Sequence, residues 1–300
     1  MKKQLTFWVE RYLYAPTFID RLISYTLLPL SFIYCLVVYL KYLFATPQDM
    51  GIKVVSIGNL TVGGSGKTPL VSALAKEYSN VAVVLRGYGR RSKGVVVVKD
   101  KERILCDVAQ SGDEAMIYAK KLPHAVVIVS ENRKEGIKKA KEYGVDLVFL
   151  DDGYSKHNIK KLDFVIDVKT PNRFCLPSGA YRELAWSSKE MVLLEEEKDF
   201  KRISILKDQT QKMCLITAIA RPQRLDRYLP KVIAKYYFED HHDFTYEELK
   251  KIWDKEQPTS FLVTYKDYVK LERFGFPLSL LDLELEVEKR VFQTINNMLK

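Results

Sequence analysis

The stretch "GNLTVGGSGKTPL" (Gly58–Leu70), directly after the apolar run "KVVSI", constrains this chain more than any other. A strand that ends in glycines and resumes as a helix presents backbone N–H groups at the junction. Those groups and the positive end of the helix make an anion site. The strict phosphate-loop spacing is G-x-x-x-x-G-K-[ST]. Gly66, Lys67 and Thr68 supply its end, and Gly63, Gly64 and Ser65 fill the turn. Thr61 stands where the first glycine is expected, so the loop is a variant. In such a loop Lys67 reaches the β and γ phosphates of a nucleotide and the Thr68 hydroxyl ligates Mg²⁺. Pro69 fits a first helical turn, where its missing N–H costs little.

The surrounding sequence has the rhythm that such a loop requires. Apolar runs at Val54–Ile57, Val81–Leu85, Ala125–Val129, Val145–Leu150 and Phe164–Val168 alternate with helix-like segments at Thr68–Tyr78, Asp113–Lys121 and Arg133–Tyr143. That alternation predicts a parallel sheet covered by helices, with ligands at the carboxyl ends of the strands. "GVVVVKDKERILC" reads instead as a β-hairpin turning around Lys99–Arg103. Residues 86–103 hold seven basic and two acidic side chains, half of the net charge of +10. This segment is either a solvated hairpin or a basic arm for an anionic substrate or membrane. Beyond the charged connector "EEEKDFKRI", strands are expected at Cys214–Ala218, Val232–Tyr237, Phe261–Thr264 and Leu280–Val287. A helix around Phe244–Trp253 would be capped by Thr245 and Glu248.

"VDLVFLDDG" has the form of a strand that ends in a metal-holding carboxylate, Asp151 or Asp152. Asp113 and Glu114 in "SGDEAMIYAKKL" open a helix, where capping alone accounts for them as well as function does. "FEDHHDF" places His241 and His242 between aspartates after a strand, which reads as a surface turn or as a His–Asp pair that orients a base or binds metal. The four cysteines are scattered and include no C-x-x-C pair, which argues against a zinc site or disulfide framework and for a reducing compartment.

Residues 22–40, "LISYTLLPLSFIYCLVVYL", carry no charge and are flanked by Arg21 and Lys41. The length reaches that of a bilayer span, although Pro29 and several hydroxyls interrupt it. Spanning, lying in the interface and packing internally are the three readings, and flanking lysines and arginines suit an anionic leaflet.

Taken in order, "VVSIGNLTVGGSGKTP", "VLRGYG", "SGDEAMIY", "LDDGYSKH", "LPSGAYRE", "ITAIARPQR", "FEDHHDF" and "LVTYKDYVK" resemble the tetraacyldisaccharide 4'-kinases of lipid A biosynthesis. The resemblance runs from about Val54 to Lys270, and Thr61 in the loop is typical of it. It implies transfer of the γ-phosphate of ATP, with Mg²⁺, to the 4' hydroxyl of an acylated glucosamine disaccharide 1-phosphate. It also implies a place on the cytoplasmic face of the inner membrane. Asp113 would be the general base and His241 its partner. Asp151 and Asp152 would serve the metal and nucleotide, and Glu183 would assist the metal. Arg86 would lie near the phosphates or the acceptor. The piece "DDGYSKH" sets His157 one residue further than the "DDGFQH" of many members, and His242 rivals His241.

The expected architecture is therefore α/β: a P-loop NTPase-like parallel-sheet domain of α/β/α layering over 46–195, a smaller α/β domain over 196–300, and an N-terminal membrane-associated helix region over 1–45. A monomer without nucleic-acid binding is expected, since no nucleic-acid motif accompanies the basic charge. The competing reading is a membrane-associated P-loop ATPase or switch, which would need no base for an alcohol.

Overall fold

The computed structural model describes residues 2–219, 222–240 and 242–300; the candidate partner His241 lies outside them. Three helices open the chain: α1 (Lys2–Tyr14), α2 (Phe18–Thr26) and α3 (Leu28–Leu43). There follow β1 (Lys53–Asn59), α4 (Lys67–Ala75), β2 (Val81–Leu85), β3 (Val96–Lys99), α5 (Val108–Ser111) and α6 (Asp113–Lys121). Next come β4 (Val126–Val129), α7 (Arg133–Glu142), β5 (Leu147–Asp151), β6 (Leu162–Ile166) and β7 (Met191–Leu194). Their strands form one sheet in the order β3-β4-β2-β5-β1-β6-β7, parallel except for β3. The two-residue period of the strands explains the layering. Val55, Ile57, Val83, Leu85, Val127 and Phe149 face one way, into a core shared with α4 and α6. Val54, Ala82, Val84, Ile128, Val148 and Leu150 face the other, onto Ile137 and Ala140 of α7. Both faces are covered, so the strands are apolar throughout.

The second sheet takes β8 (Phe200–Lys207), β9 (Met213–Thr217), β10 (Ala234–Tyr237), β11 (Ser260–Thr264) and β12 (Leu278–Val287) in the order β10-β9-β11-β12-β8. Helices α8 (Tyr246–Glu256) and α9 (Tyr265–Leu271) belong to it, and α8 starts in a capping box of Thr245 and Glu248. The last helix, α10 (Lys289–Leu299), returns to the first sheet and buries Val291 and Ile295 in its core.

Three sequence expectations change. The connector after Glu195 turns into strand at Phe200: β8 pairs antiparallel with β12 from Phe200↔Val287 to Lys207↔Leu280, because Phe200 is buried and its isoleucines alternate. The hairpin after Gly94 is one strand, β3, on the edge of the large sheet; its return leg keeps only a bridge from Lys99 to Ile104. Of the seven basic residues of 86–103, Arg86, Arg91, Lys93, Lys101 and Arg103 are exposed and two are not. Lys99 is buried and donates to the Asp100, Pro123 and Ala125 carbonyls, and burial lowers its pKa. The Arg90 side chain is likewise buried, against Glu131 at 2.6 Å. Lastly, Cys35 and Cys175 form a disulfide between positions 140 residues apart, with Cα atoms 6.0 Å apart.

The apolar N-terminal run breaks at Leu27 into α2 and α3, bent by 60°, with Pro29 in the first turn of α3. Among the described residues no single helix is long and apolar enough to cross a membrane, while the bent pair together has the length and composition. The pair is amphipathic inside out. Ser24 donates to the Ser178 carbonyl at 2.6 Å, and Ser31 donates to the Cys175 carbonyl at 2.9 Å. Leu30, Phe32, Ile33, Val37 and Phe44 point outward, with Phe32 71% and Phe44 79% exposed.

Candidate active site

Lys67 is the first residue of α4, and its N-cap is Gly66 at φ 86°. That left-handed conformation, and the Arg202 guanidinium 2.5 Å from where a Cβ would lie, exclude larger residues there. Lys67 Nζ donates to Asn59 Oδ1 at 3.0 Å and lies 3.4 Å from Asp152 Oδ1 and 3.5 Å from Ser65 Oγ. Arg182 completes the cluster, 2.5 Å from Asp152 Oδ1 and 3.0 Å from Asn59 Oδ1. Gly63 also has a positive φ, of 90°. The Gly64 carbonyl accepts from Arg224 at 3.1 Å, so the second sheet's loops reach the phosphate loop. Thr61 is turned inward. It is buried, bridged to Tyr181, and its carbonyl accepts from Asn59 Nδ2 at 2.7 Å.

Because β5 lies beside β1, its end faces this loop. Asp151 is the last residue of that strand and is buried. Its Oδ2 accepts from the Tyr118 hydroxyl at 2.8 Å, while its buried Oδ1 has no partner among the described residues. Burial, then the negative charge of Glu114, pushes its pKa up to about 7 against the pull of Lys67. Tyr118 is itself raised by burial and by Asp151, with the Thr68 hydroxyl bonded beside it. Asp152, one peptide on and at φ 52°, behaves oppositely. Burial would raise it, but Lys67 and Arg182 outweigh burial and hold it below the ordinary carboxylate range.

Asp113 begins α6 behind Gly112, whose φ of 82° and closeness to the Tyr88 carbonyl (2.9 Å from a Cβ) let the "RGYG" loop sit on the helix end. Asp113 Oδ2 is 2.8 Å from Lys270 Nζ. His242 is occupied elsewhere: it stacks on Phe238 and lies 3.1 Å from Glu248 Oε2, in the cap of α8.

Glu183 lies 3.4 Å from His157 Nε2, and both are buried. Glu183 shares a small cavity, about 90 Å³, with Asn59, Asp152 and Arg182. Among the described residues no three His, Cys, Asp or Glu side chains converge closely enough to hold an ion alone. His157 also borders a larger cavity of about 590 Å³ at the ends of β4 and β5, with Lys41, Glu131, Arg133, Lys134 and Lys156. Burial lowers the pKa of Lys156, and Arg133, Lys41 and Arg86 lower it further by repulsion. Arg86 is exposed and does not line this cavity, but its charge is felt by Lys156 and Arg133. Arg133 is buried and bonded to the Ser130 and Asp151 carbonyls at 2.6 and 3.2 Å.

The sequence reading passed over Arg182, Asn59, Tyr118, Arg133, Lys156 and Lys270. Arg182 had a signal, since it adjoins Glu183 in "LPSGAYRE". Lys156 had one too, since it adjoins His157 in "DDGYSKH"; Arg133 had none, since it lies in an ordinary charged stretch.

Phosphoryl transfer asks a protein for positioned charge more than for covalent chemistry. A loop that presents Lys67 and Thr68 to a strand-end aspartate, with a second α/β lobe reaching across, marks the class as a P-loop phosphotransferase. A solved structure described as the "apo" form of LpxK from Aquifex aeolicus in complex with ATP shares this fold, at a TM-score of 0.73. It is 24% identical, over 93% of this chain and 100% of that one. The family model for tetraacyldisaccharide-1-P 4'-kinase matches residues 23–300. Tetraacyldisaccharide 4'-kinases are 46% identical in Aliarcobacter butzleri (99% of this chain, 98% of the relative) and 45% identical in Helicobacter pylori strain ATCC 700392 / 26695 (97% and 94%). That of Campylobacter jejuni subsp. doylei is 41% identical (100% and 98%). The chain belongs to the tetraacyldisaccharide 4'-kinase family.

Proposed function

We propose that the chain phosphorylates the 4' hydroxyl of a tetraacyl glucosamine disaccharide 1-phosphate with ATP, at the cytoplasmic face of the inner membrane. The observation that carries this reading is the 590 Å³ cavity, where mutually repelling cations lie beside the end of α3. Four positive groups that repel one another call for an anion. Their neighbour α3 turns its apolar side outward, as an acylated substrate in a lipid surface requires.

Lys67 and the backbone N–H groups of Gly63–Thr68 bind the β and γ phosphates. Asp113 accepts the proton of the 4' hydroxyl as that oxygen attacks, with His241 as its partner. Arg182 orients Asp152 and keeps it ionised. The residues fit a Mg²⁺ ion: Asp151 has a buried oxygen without a partner and a raised proton affinity, beside Thr68 and Glu114. Thr68 and Asp151 would hold the ion, with Asp152 and Glu183 near it. Bound there, Mg²⁺ supplies charge neutralisation for the nucleotide phosphates.

The test is transfer of label from γ-labelled ATP to tetraacyl disaccharide 1-phosphate in detergent micelles. A labelled bisphosphorylated lipid is expected with the native chain and not with Lys67→Ala. Release of phosphate that ignores the lipid would overturn the reading.

A further inference from the structure

The segment "LVTYKDYVK" ends β11, forms α9 and ties three loops together. Asp267, fully buried, accepts from the Thr264 and Thr217 hydroxyls at 2.7 Å and from the Ala218 N–H at 3.0 Å. Lys266 lies 2.7 Å from Asp240. One turn on, Lys270 Nζ lies 2.8 Å from Asp113 Oδ2 and 3.2 Å from the His242 carbonyl. The Lys270 and Asp113 side chains are only 7% and 12% exposed. Helices α6 and α9 are packed along their length, with the Lys121 ammonium 4.5 Å from the Tyr265 ring.

A buried lysine that pairs with a carboxylate and a carbonyl at once fixes the separation of the two segments that carry them. One segment is the first turn of α6, with Asp113. The other holds His242, ahead of the first turn of α8. The charge has a second effect, because an ammonium at 2.8 Å favours the carboxylate over the acid.

We propose that Lys270 is a positioning residue for phosphoryl transfer. It holds Asp113 in its reactive orientation and sets the distance between α6 and the segment that holds His242. It acts through Asp113 and does not touch the substrate. The proposal rests on Asp113 being the general base, so its test must separate the two ideas.

The experiment compares the full chain with Asp113→Asn, Lys270→Met, Lys270→Arg and the Asp113→Asn/Lys270→Met pair. It follows kcat, the KM for ATP and Tm in the lipid transfer assay. Asp113→Asn should lower kcat by roughly 10²–10⁴-fold; unchanged turnover would remove the base, and the proposal with it. Lys270→Met should lower kcat by roughly 10–100-fold, the scale of a misplaced catalytic group, with the KM for ATP little changed. Lys270→Arg, which keeps the charge, should recover part of that loss. The double variant should be no slower than Asp113→Asn alone, since a residue that works through Asp113 has nothing left to position. A native kcat in Lys270→Met, or losses that multiply in the double variant, would overturn the proposal. Should Lys270→Met fail to fold, Lys270→Gln keeps both hydrogen bonds within reach of a neutral donor. A native kcat in that variant would equally overturn the role of the charge.

Discussion

On the two sides of β5, positive charge is held in opposite ways. In the phosphate-loop corner, Lys67 and Arg182 share the Asp152 carboxylate and the Asn59 oxygen. Both cations there have partners before any ligand arrives. In the cavity beside α3, Lys156 is repelled by Arg133, Lys41 and the nearby Arg86, Arg133 is attracted to Asp151 and Asp152 behind it, and the carboxylate on the rim, Glu131, is engaged by Arg90. The corner is preorganised for chemistry, and its geometry is kept by its own ion pairs. The cavity stores unfavourable electrostatics that an anionic ligand relieves, so its stability and its affinity are opposed.

This contrast can be broken at four points, taken from the largest effect down. Lys67→Ala should reduce kcat by about 10²–10³-fold, the usual loss for one preorganised donor, with the KM for the acceptor unchanged in steady-state kinetics. A matching rise in acceptor KM would mean that the two regions are one site. Lys156→Met should raise the acceptor KM about 10-fold, or about 1.4 kcal/mol, and leave the KM for ATP alone. Because it removes a repelled and partly buried cation, it should also raise Tm in a thermal melt. A lowered Tm would show that Lys156 is compensated after all.

The third point is pH. Asp151 binds its proton at about 7 in the fold and near 3.8 when unfolded. Between those values the folded chain holds the extra proton, so stability should fall as pH rises from about 4 to about 7 and then level off. Tm measured by calorimetry across that range should show the slope in the native chain and a flatter one in Asp151→Asn. Identical slopes would remove Asp151 as the cause. The smallest effect should come from salt. Added salt should raise the acceptor KM more than the KM for ATP, because the exposed Lys41 on the cavity rim is open to screening and the corner charges are already paired.

The corner was legible in sequence and the cavity was not, for a physical reason. Gly58 to Leu70 are contiguous, and their spacing fixes their geometry, so strand, turn and helix could be read as one unit. The end of β5 was legible because an apolar run that stops at two aspartates marks where a buried strand meets a polar edge. The second sheet was read from the same alternation, with β8 mistaken for a connector because its charged residues interrupt the apolar ones. The cavity instead gathers Lys41, Arg133 and Lys156 from three separate segments, and no spacing rule links them. The same holds for the Cys35–Cys175 bridge and for Lys270 with Asp113. The charge of the basic hairpin was legible only in part, because composition counts Lys99 and Arg90 as free charge whereas burial against carbonyls and Glu131 uses them up.

The inside-out pairing of α2 and α3 also bears on how turnover must be measured. Lys41 and Ala45, at the end of the helix whose outer side is apolar, form part of the cavity rim. If that helix lies in a lipid surface and the cavity takes the acceptor, as proposed above, enzyme and acceptor meet in two dimensions. The rate should then follow the mole fraction of acceptor within the lipid layer, not the amount per volume of solution. Surface dilution with a neutral lipid should slow it, and enlarging the aqueous volume around the same vesicles should not.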